Sequence, residues 1–296
     1  MKKFIVAMVV IIAVGIVLSG IGCAVFFSSE IGMHKIEYTE KFFETEDKVD
    51  ALDIRLEHQH KVVFERGDKC SVRYFDSDVS NFSVRVSDGK LVIEESRWNW
   101  KNWLRRLFYK FQQTDVVITV PDGVALDIDG CFNGASEIVL PSWEFGKLDF
   151  VISGASNVVA EGITSKRIDL DISGAANFRL SGKTDNLRVY ASGAVKMNCD
   201  TLDCPQVYVY TSGTGEIILS GRGDALTVNA SGLSNIWAKD FVTDTVHIEA
   251  SGDVEAEFNV ATLLDVKASG VANISYWGNA RVEKNVSGSA NIVKRG

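Results

Sequence analysis

Ile168-Asp169-Leu170-Asp171-Ile172-Ser173-Gly174-Ala175-Ala176-Asn177-Phe178-Arg179-Leu180 is the stretch that decides the fold. Its apolar residues fall at every second position, first as Ile168, Leu170 and Ile172, then as Phe178 and Leu180. A period of two marks strands with one buried and one wet face. A serine-glycine pair breaks the alternation between the two runs, and that pair recurs. It stands at Ser153-Gly154, Ser173-Gly174, Ser192-Gly193, Ser212-Gly213, Ser231-Gly232, Ser251-Gly252, Ser269-Gly270 and Ser287-Gly288. The steps are 20, 19, 20, 19, 20, 18 and 18 residues, and Asn133-Gly134 lies another 20 upstream. Self-similarity at a period near twenty is the signature of a solenoid, in which each repeat is one rung buried against its neighbours.

The flanking residues repeat with the pair. Leu148/Phe150/Ile152, Leu187/Val189/Ala191, Leu226/Val228/Ala230, Val246/Ile248/Ala250 and Leu264/Val266/Ala268 precede it in the same phase. Asn157-Val158, Asn177-Phe178, Asn235-Ile236, Asn273-Ile274 and Asn291-Ile292 follow it, giving Ser-Gly-x-x-Asn-apolar. An apolar anchor such as Ile163, Leu202 or Phe241 closes the rung. The fold expected is all-β: a single-stranded parallel β-helix with rungs of about 19 residues, and a leucine-rich repeat lacks its frame here. At about 4.8 Å per rung, eight or nine rungs stack to roughly 40 Å. The recurring glycine answers either a positive φ or a close approach of stacked backbones. Ser and Asn suit the hydrogen-bonding of such corners, with stacked Asn side chains forming a ladder. No base stands at a fixed offset from the serines, so they read as punctuation and not as nucleophiles.

Residues 1–29 read as a transmembrane helix or signal segment. After Met1-Lys2-Lys3, the run Phe4–Phe27 carries no charged side chain. That is long enough to span a bilayer, and the lysines hold the N-terminus inside with residues 30–296 outside. Length favours a retained anchor in the cytoplasmic membrane. A cleaved signal competes at Gly22-Cys23-Ala24, which would leave the protein secreted. A lipid anchor on Cys23 is disfavoured by Gly20, which stands where Leu is usual.

Residues 30–48 read as a juxtamembrane linker, 49–125 as an irregular N-terminal β region, and 126–296 as the regular Ser-Gly solenoid. Within 49–125, Asp88-Gly89 is a hairpin turn. The segment 97–111 departs from the β pattern. It carries five positive charges, no acid and half of the six tryptophans. It is expected to form a short amphipathic helix, with Trp100, Trp103, Leu104, Leu107 and Phe111 on one face and Lys101, Arg105 and Lys110 largely opposite. Trp98, Trp100, Trp103, Arg105, Arg106, Phe108 and Lys110 are the candidate contacts with an anionic membrane surface or a protein partner. The plainer reading packs the apolar face on the solenoid.

The net charge of −8 argues against nucleic acid as a partner. Five cysteines form an odd set. Cys199 and Cys204 are close enough to bridge across one turn, yet Cys199 also sits at an inward position and suits a buried thiol. Neither spacing nor number supports zinc, and no cofactor is called for. His58 and His60 share one face of a strand, a metal-ligand hint with no matching partner set, and structural or solvent-facing roles are the plainer reading. Outer-face carboxylates such as Asp169, Asp171, Glu255 and Glu257 are spread over many rungs, whereas glycan cleavage needs them focused in a cleft. No catalytic residue is assigned.

The Ser-Gly-x-x-Asn units, with the ending Tyr276-Trp277-Gly278-Asn279-Ala280…Val286-Ser287-Gly288-Ser289-Ala290-Asn291-Ile292, resemble the bacterial putative auto-transporter adhesin family with a head GIN domain. Lys90–Glu94, the Trp/basic insert and Val116–Pro121 are similar to the related putative adhesin family of β-strand-repeat proteins. Together the resemblances cover about residues 45–296. They imply a β-helical, extracytoplasmic envelope protein without a catalytic motif. Departures are a repeat short by two residues from Ser251-Gly252-Asp253-Val254, and Lys196 and Glu216 in place of Asn. The expected role is adhesion or the binding of a cell-surface polymer or envelope protein. Regulation beside the membrane through residues 97–111 is the alternative, with a polysaccharide-active enzyme behind both.

Overall fold

The computed structural model describes residues 34–35, 37–77, 82–95, 109–110 and 113–295. Contacts divide the chain into two units, residues 38–97 with 112–296, and residues 1–37 with 98–111. The first unit is an all-β solenoid. Of the second, the described part is a parallel pair of two-residue strands, His34–Lys35 with Tyr109–Lys110.

In the solenoid, each rung lies in parallel register on the next. Ala155–Ile172 pairs with Ala175–Ala191, Thr214–Ala230 with Leu233–Ala250, and Leu233–Ala250 with Asp253–Ala268. One rung has three short sides. In Ala155–Ile172, Ser156, Val158 and Ala160 face inward, then Ile163 and Ser165, then Ile168, Leu170 and Ile172. Two exposed residues in succession, at 161–162 and 166–167, shift the alternation at two corners; Ser-Gly makes the third. The in-register inward residues stack into one apolar core whose largest wholly buried members include Phe132, Phe145, Phe241 and Phe258.

The Ser-Gly glycines owe their place to close approach. None of them has a positive φ; the positive-φ glycines are Gly89, Gly123, Gly162, Gly182, Gly221 and Gly278. A Cβ at Gly193 would lie 1.8 Å from the Gly174 carbonyl oxygen, and one at Gly174 would lie 1.9 Å from that of Gly154. The backbone ladder runs unbroken through this corner, with Ser192 N–H donating to Ile172 O at 2.8 Å and Ala194 N–H to Gly174 O at 3.0 Å.

The stack begins before the first Ser-Gly pair. Ala51–Leu56 and His60–Gly67 form a rung beneath Leu126–Phe132 and Ala135–Leu140, and Glu57-His58 stand where later rungs have Ser-Gly. Below that rung, Lys90–Glu95 and Thr114–Pro121 complete the base in parallel. In sequence the two sides of the base rung are separated by residues 96–113, against residues 57–59 in the rung above. Antiparallel strands finish this end. Phe82–Ser87 pairs with Lys90–Glu95 across Asp88-Gly89, both at positive φ, and Cys70–Asp76 bridges Thr39–Thr45 to Thr114–Pro121.

One expectation changes, and two others fall wholly or largely outside the described residues. Residues 39–45, within the stretch read as a linker, form a strand, because Phe43 packs on the core from a hydrogen-bonded register with Val72. The transmembrane helix expected within 1–29 lies outside the described residues, and among those described no helix is long and apolar enough to cross a membrane. The amphipathic helix expected over 97–111 also lies outside them except at its end. There Tyr109–Lys110 is strand, so a helix does not run the length of the insert.

Candidate functional site

The solenoid turns sequence periodicity into columns of outward side chains. On the strand after each corner, in-register pairing stacks Ala135, Ala155, Ala175, Ala194, Thr214 and Leu233 in one outward line. Beside it runs a second line of Glu137, Asn157, Asn177, Lys196, Glu216, Asn235, Glu255 and Asn273. The small residues of the first line leave a groove of about 1180 Å³ along the rungs. Asn157, Asn177, Asn235 and Asn273 are exposed. Among the described residues no hydrogen bond links these amides to one another, so the expected Asn ladder is not formed. They present donors and acceptors to solvent, Asn157 and Asn177 on adjacent rungs about 4.8 Å apart and Asn235 and Asn273 two or three rungs from the next. Lys196 Nζ bonds Glu216 Oε2 at 2.7 Å, tying two rungs where the asparagine is replaced.

The strand before the corner makes the other flank, a groove of about 730 Å³. Tyr190 and Tyr210 occupy one outward column and stack at 4.7 Å between centroids and 7° between planes. Farther along, Lys267 Nζ donates to Glu249 Oε1 at 2.9 Å, and His247 lies between Asp265 and Glu249. Charged groups here pair across rungs.

A different chemistry sits at the base. Glu95 ends the strand Lys90–Glu95 with its side chain 1% exposed. Its Oε1 accepts from His58 Nδ1 at 2.5 Å and its Oε2 from His60 Nε2 at 2.9 Å. Oε2 also accepts the backbone N–H groups of Glu57 at 2.9 Å and His58 at 3.1 Å. In later rungs the first corner N–H finds a carbonyl of the rung beneath, as Ser153 N does with Phe132 O at 3.1 Å. At the first corner the Glu95 carboxylate takes that role. Burial by itself raises the Glu95 carboxyl, but the hydrogen bonds and charges of His58 and His60 outweigh it and hold the group well below the usual carboxylate range. His60 completes its ring contacts through Nδ1, 2.9 Å from the Thr114 hydroxyl, and an edge-on Phe82 at 5.4 Å.

Trp98, Trp100, Trp103, Arg105, Arg106 and Phe108 lie outside the described residues; Lys110 belongs to the short strand Tyr109–Lys110. The structure gives His58 and His60 the partner that sequence reading did not find. Glu95 lies 37 and 35 positions away and reads there as one more strand-end carboxylate. The one local signal was a glutamate at an inward phase of Leu91-Val92-Ile93-Glu94-Glu95. Cys199 and Cys204 are free, buried thiols. Burial pushes Cys204 up to about 12 and Cys199 farther still.

A family model described as "Putative auto-transporter adhesin, head GIN domain" matches residues 52–217 and 185–280. No curated protein matches the chain. Among solved structures, a putative adhesin from Parabacteroides distasonis is 14% identical with a TM-score of 0.55, covering 88% of this chain and 97% of its own. A putative adhesin from Parabacteroides merdae is 13% identical with a TM-score of 0.55 and the same coverage. A protein called a putative lipid binding protein, from Parabacteroides distasonis, is 15% identical with a TM-score of 0.58, covering 88% of this chain and 99% of its own. At such identities the likeness is one of fold.

Proposed function

The chain belongs to the putative auto-transporter adhesin, head GIN domain family, and from that premise we propose that it is a non-enzymatic envelope protein that binds a repetitive surface polymer along its solenoid. The observation carrying this reading is the groove of about 1180 Å³ beside the exposed amides of Asn157, Asn177, Asn235 and Asn273. A lengthwise groove with a polar group at nearly every rung suits an extended, hydroxyl-rich chain. Each contact is weak, and linked contacts add through effective concentration. The apolar run Phe4–Phe27 supplies the anchor in this reading, with residues 30–296 outside the cytoplasmic membrane.

The test is sedimentation of the full chain, in detergent, with purified cell-wall polysaccharides. The triple variant Asn157→Ala, Asn177→Ala, Asn235→Ala is expected to lose binding by tenfold or more while its far-ultraviolet circular dichroism is unchanged. Binding equal to wild type in the folded triple variant, or none to any envelope polymer, rejects the proposal.

A second reading places an anionic lipid surface against residues 97–111. It draws on the five cations of that segment and on the name of the fold relative called a putative lipid binding protein. Salt-sensitive sedimentation with anionic liposomes, lost on changing Trp100, Trp103, Arg105 and Arg106, is its expected result; equal binding to neutral vesicles rejects it.

A further inference from the structure

We infer that His58, His60 and Glu95 form a binding site for a divalent transition ion of the zinc class. The three side chains offer two imidazole nitrogens and a carboxylate oxygen, all within 4.8 Å of one another. Two nitrogens with one carboxylate suit zinc and its neighbours, whereas calcium and magnesium take oxygen ligands. Three protein ligands leave a fourth tetrahedral position for water or a further donor.

The surroundings hold the donors in place. Metal-bound histidines are oriented through their far ring nitrogen, and ligand carboxylates through their second oxygen. Here His60 Nδ1 lies 2.9 Å from Thr114 Oγ1, so that with the proton on Nδ1 it donates to the hydroxyl and leaves Nε2 free to coordinate. Phe82 fixes the ring from its edge at 5.4 Å. Glu95 keeps Oε2 on the backbone N–H groups of Glu57 and His58, leaving Oε1 for the ion.

Access and geometry agree. The His60 and Glu95 side chains are 4% and 1% exposed, while His58 is 17% exposed and opens the site to solvent. Two bonds of about 2.0–2.1 Å at the tetrahedral angle set neighbouring donors about 3.3 Å apart. His58 Nδ1 stands 2.5 Å from Oε1, and His60 Nε2 stands 2.9 Å from Oε2 and within 4.8 Å of the other donors. Widening the His58 Nδ1–Oε1 separation to about 3.3 Å takes a swing of His58, the partly exposed ligand, of less than about 1 Å. Its imidazole proton then resides on Nε2. The bound ion ties the end of the strand Lys90–Glu95 to the corner that follows Ala51–Leu56.

The test is Co²⁺ and Zn²⁺ titration of chelator-stripped full-length protein in detergent, read by visible absorption and calorimetry. The expected result is one ion per chain, a tetrahedral Co²⁺ spectrum displaced by Zn²⁺, and a rise in melting temperature reversed by EDTA. His58→Ala, at the partly exposed position, abolishes the spectrum while the β circular dichroism is kept. Thr114→Val, which touches no ion, weakens binding by about 10–100-fold. Absence of a Co²⁺ spectrum in wild type, or one surviving His58→Ala, overturns the inference and leaves the cluster as a hydrogen-bonded cap.

Discussion

Replacing Gly193 by alanine puts the stacking of the Ser-Gly corners to a direct test. The added Cβ would stand 1.8 Å from the Gly174 carbonyl oxygen and 2.8 Å from its carbon, backbone atoms that cannot rotate away. Ordinary contact begins near 3.4 Å, so the two rungs must part by more than an ångström at that corner. The hydrogen bonds Ser192 N–H to Ile172 O at 2.8 Å and Ala194 N–H to Gly174 O at 3.0 Å then stretch beyond useful length. Their loss costs about 0.5–1.5 kcal/mol each and the overpacking about 1–3 kcal/mol, together about 2–6 kcal/mol. Because the corners stack one on another, a parted pair also weakens its neighbours. The assay is urea unfolding of the full chain followed by far-ultraviolet circular dichroism. Gly123→Ala is the control: its φ is +75° but nothing lies within 4 Å of the new Cβ. It should cost only the left-handed backbone penalty of about 1–2 kcal/mol. If Gly193→Ala unfolds no earlier than Gly123→Ala, close approach is not why the glycine recurs.

Four further outcomes are expected. In chelator-treated protein, Glu95→Ala removes the shared acceptor of two backbone N–H groups and two imidazoles and should cost about 3–5 kcal/mol; a midpoint unchanged in urea would dismiss its capping role. The Glu95 carboxyl is lowered in the fold, so its contribution is complete above the ordinary value of 4.5 and lost as pH falls through the lowered one. Glu95→Gln should flatten that part of the acid limb, and an identical limb refutes the assignment. Cys199 and Cys204, buried with raised pKa, should resist iodoacetamide until the protein unfolds, and labelling of the native chain at either residue would contradict their burial. Tyr210→Ser removes a stacked ring pair on the outer face and should cost about 0.5–1.5 kcal/mol beyond lost area; a loss of the β spectrum would mean that the pair holds the rungs together.

Much of the solenoid was legible because its physics is local and repeated. The alternation Ile168, Leu170, Ile172 states a buried face by itself, and Ser173-Gly174 marks the corner wherever it recurs. The limits of that legibility are also physical. Glu57-His58 occupies a corner without the Ser-Gly letters, so the first rung was read only as irregular strands. Phe43 sits in a strand that exists through pairing with Cys70–Asp76, and short charged residues around it look like a linker. The asparagines were read as a ladder because their spacing permits one; in the structure their amides face solvent and leave one another unbonded.

The sequence by itself determined the rung, its inward columns and the solenoid, since a period of two broken every 18 to 20 residues has few ways to bury its apolar face. It could not decide between positive φ and close approach for the corner glycines, because both demand the same residue. The tertiary structure decided that by setting one corner carbonyl under the next. It alone also joined His58 and His60 to Glu95, whose partnership arises from the pairing of Ala51–Leu56 with Lys90–Glu95. Contacts across rungs depend on register, and register is a property of the stacked chain that no single rung contains.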